Sequence, residues 1–334
     1  MERFLVGASL VVAGLIAAGS VFGSMPMQFR FDADGGPAVV QGTPVTKGAP
    51  ATYKAGPIEV RNAAAILVVT PEDRADVVVT VTGGDRLPPL KVRDGDGRLV
   101  FDGGLGRRVR GCSSGSPYSV NINDLGEVSE SELPRIEIKT PRTLDLAVSG
   151  GVATTVGPSD TATFSFAGCG PATLGDVKGE LEVDAAGTGD VRGGAAQSAR
   201  IQIAGSGEVD LGVVTQGLEA SIAGSGSARA KSVTGALDAS IAGSGDVVIN
   251  GGAISKADIS IAGSGDVVVD APVVDLDASI MGSGDVKVAS VSGTLERSVM
   301  GSGGVTTGPT PPAPPSPPAP LPPAPPTVPP PAPT

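Results

Sequence analysis

Along the second half of this 334-residue chain a pair of glycines around one small residue returns at nearly constant intervals, and an acid usually follows it. Copies stand at Gly187-Thr188-Gly189-Asp190, Gly205-Ser206-Gly207-Glu208, Gly224-Ser225-Gly226-Ser227, Gly243-Ser244-Gly245-Asp246, Gly263-Ser264-Gly265-Asp266, Gly282-Ser283-Gly284-Asp285 and Gly301-Ser302-Gly303-Gly304. Successive first glycines are 18, 19, 19, 20, 19 and 19 residues apart. Such a period marks a solenoid, whose units bury their apolar faces against one another. Glycine at a repeated corner permits backbone angles that a side chain penalises and lets stacked corners approach within a strand spacing. Gly205, Gly207, Gly224, Gly226, Gly243, Gly245, Gly263, Gly265, Gly282 and Gly284 are therefore read as structural corners.

Between corners the pattern alternates. Leu218-Glu219-Ala220-Ser221-Ile222, Leu237-Asp238-Ala239-Ser240-Ile241 and Leu276-Asp277-Ala278-Ser279-Ile280 set three apolar residues on one face and an acid with a serine on the other. That is period two, hence strand. A second short alternation follows each corner (Val247-Val248-Ile249, Val267-Val268-Val269, Val286-Lys287-Val288), and Val214, Val233, Val273 and Val291 supply a third apolar point. Where most coils use Leu-x-Ala, Ala257-Asp258-Ile259 uses Ala-x-Ile, which conserves volume within one layer. The expected fold is all-β: a parallel, right-handed β-helix of ~19-residue coils, about nine of which at ~4.8 Å each make a rod of ~43 Å. At the inward site of the last coil Arg297 replaces an apolar residue, and an unpaired guanidinium ends the stack.

Composition agrees with strands. There are 50 Gly and 30 Pro against 3% aromatics, so small β-branched residues must do the packing. Residues 1–24 carry an uncharged apolar run behind Arg3, thickening in Gly, Ala and Ser toward its end; this is the layout of a secretory signal peptide, or of an N-terminal anchor if it is not cleaved. Residues 25–57 are read as linker or loop, and 58–147 as a β-rich N-terminal cap of short strands. The repeats occupy 148–308. Residues 309–334, almost pure Pro, Ala, Ser and Thr, form a tail that defaults to extended polyproline or disorder. Cys112 and Cys169 are the two cysteines, and an exported chain could join them in a disulfide or keep two buried thiols.

The run Leu133-Pro134-Arg135-Ile136, then Leu144 to Val152 with Ser149-Gly150-Gly151, then the repeated Gly-Ser-Gly-Asp-Val, resembles the head GIN domain family of auto-transporter adhesins over roughly residues 58–305. The resemblance implies an exported bacterial β-helical protein and carries over no catalytic residue. The Pro-rich tail lies outside the family pattern, and no translocator barrel follows the repeats.

The chain has no histidine, which removes the commonest general base and every His-containing metal site. Its formal charge of −11 gives no footprint for nucleic acid. Asp246, Asp266 and Asp285 follow successive corners and are the calcium candidates; one carboxylate per coil supplies too few oxygens, and a solvated face is the preferred reading. No metal, cofactor or catalytic set is expected. The outward acids Glu182, Glu219, Asp238, Asp258, Asp277 and Glu296, broken by Arg200, and the serines Ser221, Ser240, Ser260, Ser279 and Ser298 should form two parallel rows. The reading is an exported, non-catalytic β-helical protein of periplasm, envelope or cell surface. Its expected partners are envelope glycans, surface proteins or its own copies, with membrane contact only through an uncleaved N-terminal segment. The alternatives are a polysaccharide-cleaving β-helix enzyme and a structural self-assembling envelope element.

Overall fold

A computed structural model describes residues 42–308 except Ser114 and Ser116; the expectations for residues 1–24, for 25–41 and for 309–334 lie outside the described residues. The fold is all-β, a parallel solenoid of about nine turns with ~19 residues per coil.

One side of the solenoid is built by strands Thr143–Val156, Thr161–Gly168, Glu180–Gly187, Ser198–Gly205 and Gly217–Gly224, each parallel to the next. The series continues through Ser227–Gly243, Gly252–Gly263 and Val267–Gly282 to Leu295–Gly301. Register is kept at the corners, with Gly205 over Gly187, Gly224 over Gly205, Gly243 over Gly224, Gly263 over Gly243 and Gly282 over Gly263. Inside, Leu237, Ala239 and Ile241 lie under Ala257, Ile259 and Ile261, all buried. Ile259 thus sits between Ala239 and Ala278, and Ala257 between Leu237 and Leu276. Large residues meet small ones along the axis as well as within a coil, which is how a core of Leu, Ala and Ile closes without aromatic rings. Phenylalanine enters the core only near the base, at Phe101, Phe164 and Phe166, and the rings of the last two are stacked with centroids 5.9 Å apart.

The glycine corners have two causes. Gly205, Gly224, Gly243, Gly263 and Gly282 have φ between +134° and +143°, where side chains are penalised. At each of them a Cβ would fall on the carbonyl oxygen of the glycine one coil earlier. Gly207, Gly226, Gly245, Gly265 and Gly284 have no such φ, yet a Cβ there would also strike the backbone oxygen of the corresponding earlier glycine. The same oxygens hold the stack: Ser225, Ser244, Ser264 and Ser283 donate their amide N–H to Gly205, Gly224, Gly243 and Gly263 at 2.8–2.9 Å.

The stack reaches further toward the N-terminus than the glycine register. Ile58–Pro71, expected in the cap, pairs in parallel with Thr143–Val156 and forms a layer of the solenoid, interrupted by a bulge between Val148 and Gly150. Beneath it lie Arg98–Asp102 and Pro134–Thr140, also parallel to it. Part of the stretch expected as linker is strand too, because Thr43–Pro44 and Ala51–Lys54 pair antiparallel with Lys91–Gly95 and Asp76–Gly83. Those ladders come from distant partners and leave no local pattern. A separate three-stranded antiparallel sheet, Val109–Cys112, Ser119–Ile122 and Gly126–Ser129, packs on the side. The Cys112–Cys169 disulfide joins this sheet to the corner Gly168-Cys169-Gly170, closing a sequence separation of 57. On the chain-entropy model a loop of that size is worth about 4 kcal/mol.

The corner geometry sets a graded outcome for glycine substitution. Gly243→Ala should lower unfolding stability by about 1–3 kcal/mol, since it adds backbone strain to a collision with a fixed carbonyl. Gly251→Ala, whose Cβ would lie 3.7 Å from the nearest atom, should stay within about 0.5 kcal/mol of the parent. Urea midpoints of the two variants check the contrast.

Candidate interaction surface

Because side chains alternate across a strand and every coil keeps the same register, outward residues of the first side line up along the axis. Glu182, Arg200, Glu219, Asp238, Asp258, Asp277 and Glu296 form one column. Ser221, Ser240, Ser260, Ser279 and Ser298 form the column beside it. Near its N-terminal end the acidic column is neutralised, as Arg200 pairs with Glu219 at 2.7 Å. Further along, Lys256 reaches across to Asp258 at 2.8 Å. Arg229 pairs with Glu208 on the neighbouring side.

Stacking disturbs the acids in opposite directions. Asp238 touches solvent, yet neighbouring coils strip part of its hydration and the Asp258 charge adds repulsion, so its carboxyl is pushed above the ordinary carboxylate range. Asp275 is pulled below that range, because the amide and hydroxyl of Thr294 both donate to Oδ1, at 2.8 and 2.7 Å.

The calcium candidates form a ladder of another kind. The Oδ1 atom of Asp246 accepts the Asp266 amide at 3.0 Å, that of Asp266 the Asp285 amide at 2.8 Å, and that of Asp285 the Gly304 amide at 2.9 Å. Each carboxylate satisfies a backbone donor of the next coil just after its corner, where the strand ladder has not yet resumed. Among the described residues no group of three or more His, Cys, Asp or Glu side chains could hold a metal ion.

Two features escaped sequence reasoning. Glu59 and Asp102 are buried at the base of the stack, with Arg61 2.9 Å from Asp102 and Arg98 3.2 Å from Glu59. Asn62, at φ 51°, makes the bulge that brings this cluster together, and Asp102 also accepts the Gly104 amide. The only local signal is Arg61-Asn62 interrupting an apolar run. The second is an open groove of about 570 Å³ beside the small sheet, lined by Ile66, Thr82, Ser129, Ser131, Leu133 and Arg135 among others. At its edge Ser129 and Arg86 hydrogen bond to Glu132 and hold that carboxyl down at about 2.

The geometry is that of a long side carrying ordered columns. Residues 67–253 and 181–294 match the family described as "Putative auto-transporter adhesin, head GIN domain". The chain belongs to this head GIN domain family. Among curated proteins none matches it. Solved structures similar to it include a "putative adhesin" of Parabacteroides distasonis, 19% identical, spanning 78% of this chain and 96% of that one with a TM-score of 0.47. A "putative adhesin" of Bacteroides fragilis is 19% identical over 79% and 99% of the two chains, with a TM-score of 0.35. A "Putative lipid binding protein" of Parabacteroides distasonis is 17% identical over 78% and 97%, with a TM-score of 0.42. Among the described residues no helix is long and apolar enough to cross a membrane.

Two outcomes follow from the columns. Asp266→Ala removes the acceptor of the Asp285 amide and should cost about 1–2 kcal/mol, whereas Asp266→Asn keeps an oxygen there and should recover most of it. Millimolar calcium should leave the parent's thermal midpoint unmoved; a calcium-dependent rise lost in Asp266→Ala would put an ion in the ladder. The second outcome concerns acid. With the Asp238 pKa above its unfolded value, the folded state binds the proton more tightly, so this contribution is present below the unfolded pKa and lost as pH rises through the folded one. Asp238→Asn should therefore add about a few tenths of a kcal/mol at pH 7 and reduce the fall in stability above pH ~4, read from urea midpoints against pH.

Proposed function

We propose that this head GIN domain protein is exported and serves, without catalysis, as a binding scaffold of the cell envelope or surface. Its partners on this reading are envelope glycans, surface proteins or copies of itself. The observation that carries the reading is the pair of acid and serine columns held in register from coil to coil on one side of the solenoid. Carboxylates and hydroxyls repeated at a strand spacing of ~4.8 Å offer many weak, identical hydrogen-bonding positions, which suits a repetitive polymer or a broad protein surface. No base accompanies the serines, and an isolated hydroxyl is a poor nucleophile. Export is supported by the apolar N-terminal run and by two cysteines placed to bond across 57 residues, a usage at home in an oxidising compartment.

Glycan arrays and pull-downs from envelope and matrix material, made with the mature chain, test the reading. Binding should be saturable, and the combined changes Asp238→Lys, Asp258→Lys and Asp277→Lys should weaken it by about tenfold or more by inverting the column's charge. Absence of binding to any of these materials, or release of unsaturated or reducing sugar ends by the purified protein, would contradict it. The mass of the mature N-terminus, from fractionated cells, decides between a removed signal peptide and a retained anchor.

A further inference from the structure

The last coil leaves an apolar layer and a strand edge without a cover among the described residues. Leu295, Arg297 and Val299 take the register positions above Leu276, Ala278 and Ile280. Yet Leu295 and Val299 are 42% and 40% exposed, against 1% for Leu276 and for Ile280. Strand Leu295–Gly301 pairs on one edge with Val267–Gly282, and no described strand takes its other edge. One coil earlier the Leu276 amide donates to Thr294 O at 2.9 Å, so the inward residues of this side aim their backbone groups at the coil that follows. Backbone directions alternate along a strand together with the side chains, and Leu295, Arg297 and Val299 therefore hold out amides and carbonyls alike.

Edge and layer together define an occupant. A chain that pairs this edge is an extended strand with donors and acceptors of its own. To continue the layer it lays apolar side chains against Leu295 and Val299. Between those two stands Arg297, which has no hydrogen-bond or ion-pair partner among the described residues. Covering it with apolar groups would bury an unpaired guanidinium, so the occupant must bring a carboxylate at its middle position. A second copy brings none. Its last strand offers Leu295, Arg297 and Val299 at the inward positions, and Ala51–Lys54, an edge strand at the other end, has no acid at any position. A charge on an edge turns away strands that cannot pair it, so Arg297 selects among partners.

We propose that the last coil is a docking site for an extended segment of another protein, taken up by strand addition, whose inward face reads apolar, acid, apolar. The segment lies where a further coil would begin. Its backbone exchanges hydrogen bonds with Leu295, Arg297 and Val299, its apolar side chains cover Leu295 and Val299, and its carboxylate pairs with Arg297. The pattern is the same in either direction, so parallel and antiparallel addition both satisfy it. The site does not rest on the binding role of the acid and serine columns.

Two acetylated and amidated peptides probe the site in the full chain: Thr-Val-Thr-Glu-Thr-Val-Thr, and the same peptide with lysine in place of the glutamate. By hydrogen–deuterium exchange the glutamate peptide should slow the amides of Leu295, Arg297 and Val299 about tenfold or more and the lysine peptide should leave them unchanged, while Gly217–Gly224 exchanges alike throughout and reports an intact fold. Arg297→Glu should reverse the preference. Protection by neither peptide through millimolar concentration, or by both equally, overturns the proposal, as does a preference that survives Arg297→Glu. Protection that grows with protein concentration in the absence of peptide also overturns it and gives the edge to a second copy. Should Arg297→Glu not fold, Arg297→Gln decides: it should lose the discrimination between the peptides, and discrimination retained in it overturns the proposal.

Discussion

The structure depends on the contact between one corner and the corner of the next coil. A glycine carbonyl there accepts the amide of the following coil's serine, and the approach leaves no room for a Cβ on either glycine of the pair. If that approach were lost, parallel strands on both sides of the corner would drift from register, and a one-residue slip would turn apolar rows outward. The glycines are therefore less about flexibility than about distance. Their positive φ at the first site of each pair lets the chain turn, and their missing side chains let the turns nest.

Once the corners nest, the rest follows from repetition. Inner Leu, Ala and Ile side chains fill layers by alternating size along the axis, so the core needs almost no aromatic residue. The outer side becomes a set of columns, and each column imposes its own electrostatic cost or gain. Asp246, Asp266 and Asp285 each accept an amide from the coil above. Asp238 loses, because solvent is partly excluded and, second, Asp258 stands one strand spacing away. Charges recurring at the same position of a coil thus differ in role according to what the next coil presents to them.

A solenoid also has to end. At the N-terminal side the strands Arg98–Asp102, Pro134–Thr140 and their antiparallel partners close the stack, and a buried cluster of Glu59, Asp102, Arg61 and Arg98 sits within that closure. At the C-terminal side no described strand covers the final layer, and Leu295, Arg297 and Val299, at the inward register positions, are exposed. The two ends differ physically. One is plugged by long-range pairing, while the other places a charge where an apolar residue would continue the pile.

The coil length, the strand pattern, the inward rows and the corner glycines were all legible in the sequence. Each is a local property, written into every repeat and read through period two and a fixed interval. The parallel layer of Ile58–Pro71 was not legible, since its partners lie 41 to 88 residues away and share no repeat with it. The strands at Thr43–Pro44 and Ala51–Lys54 were hidden for the same reason. Nor could the chain alone place the Cys112 and Cys169 sulfurs together, or show that the acids after the corners bind amides, because both depend on how far one coil rises above another. Local alternation decides which way a side chain points; only the stacked structure decides what it meets there.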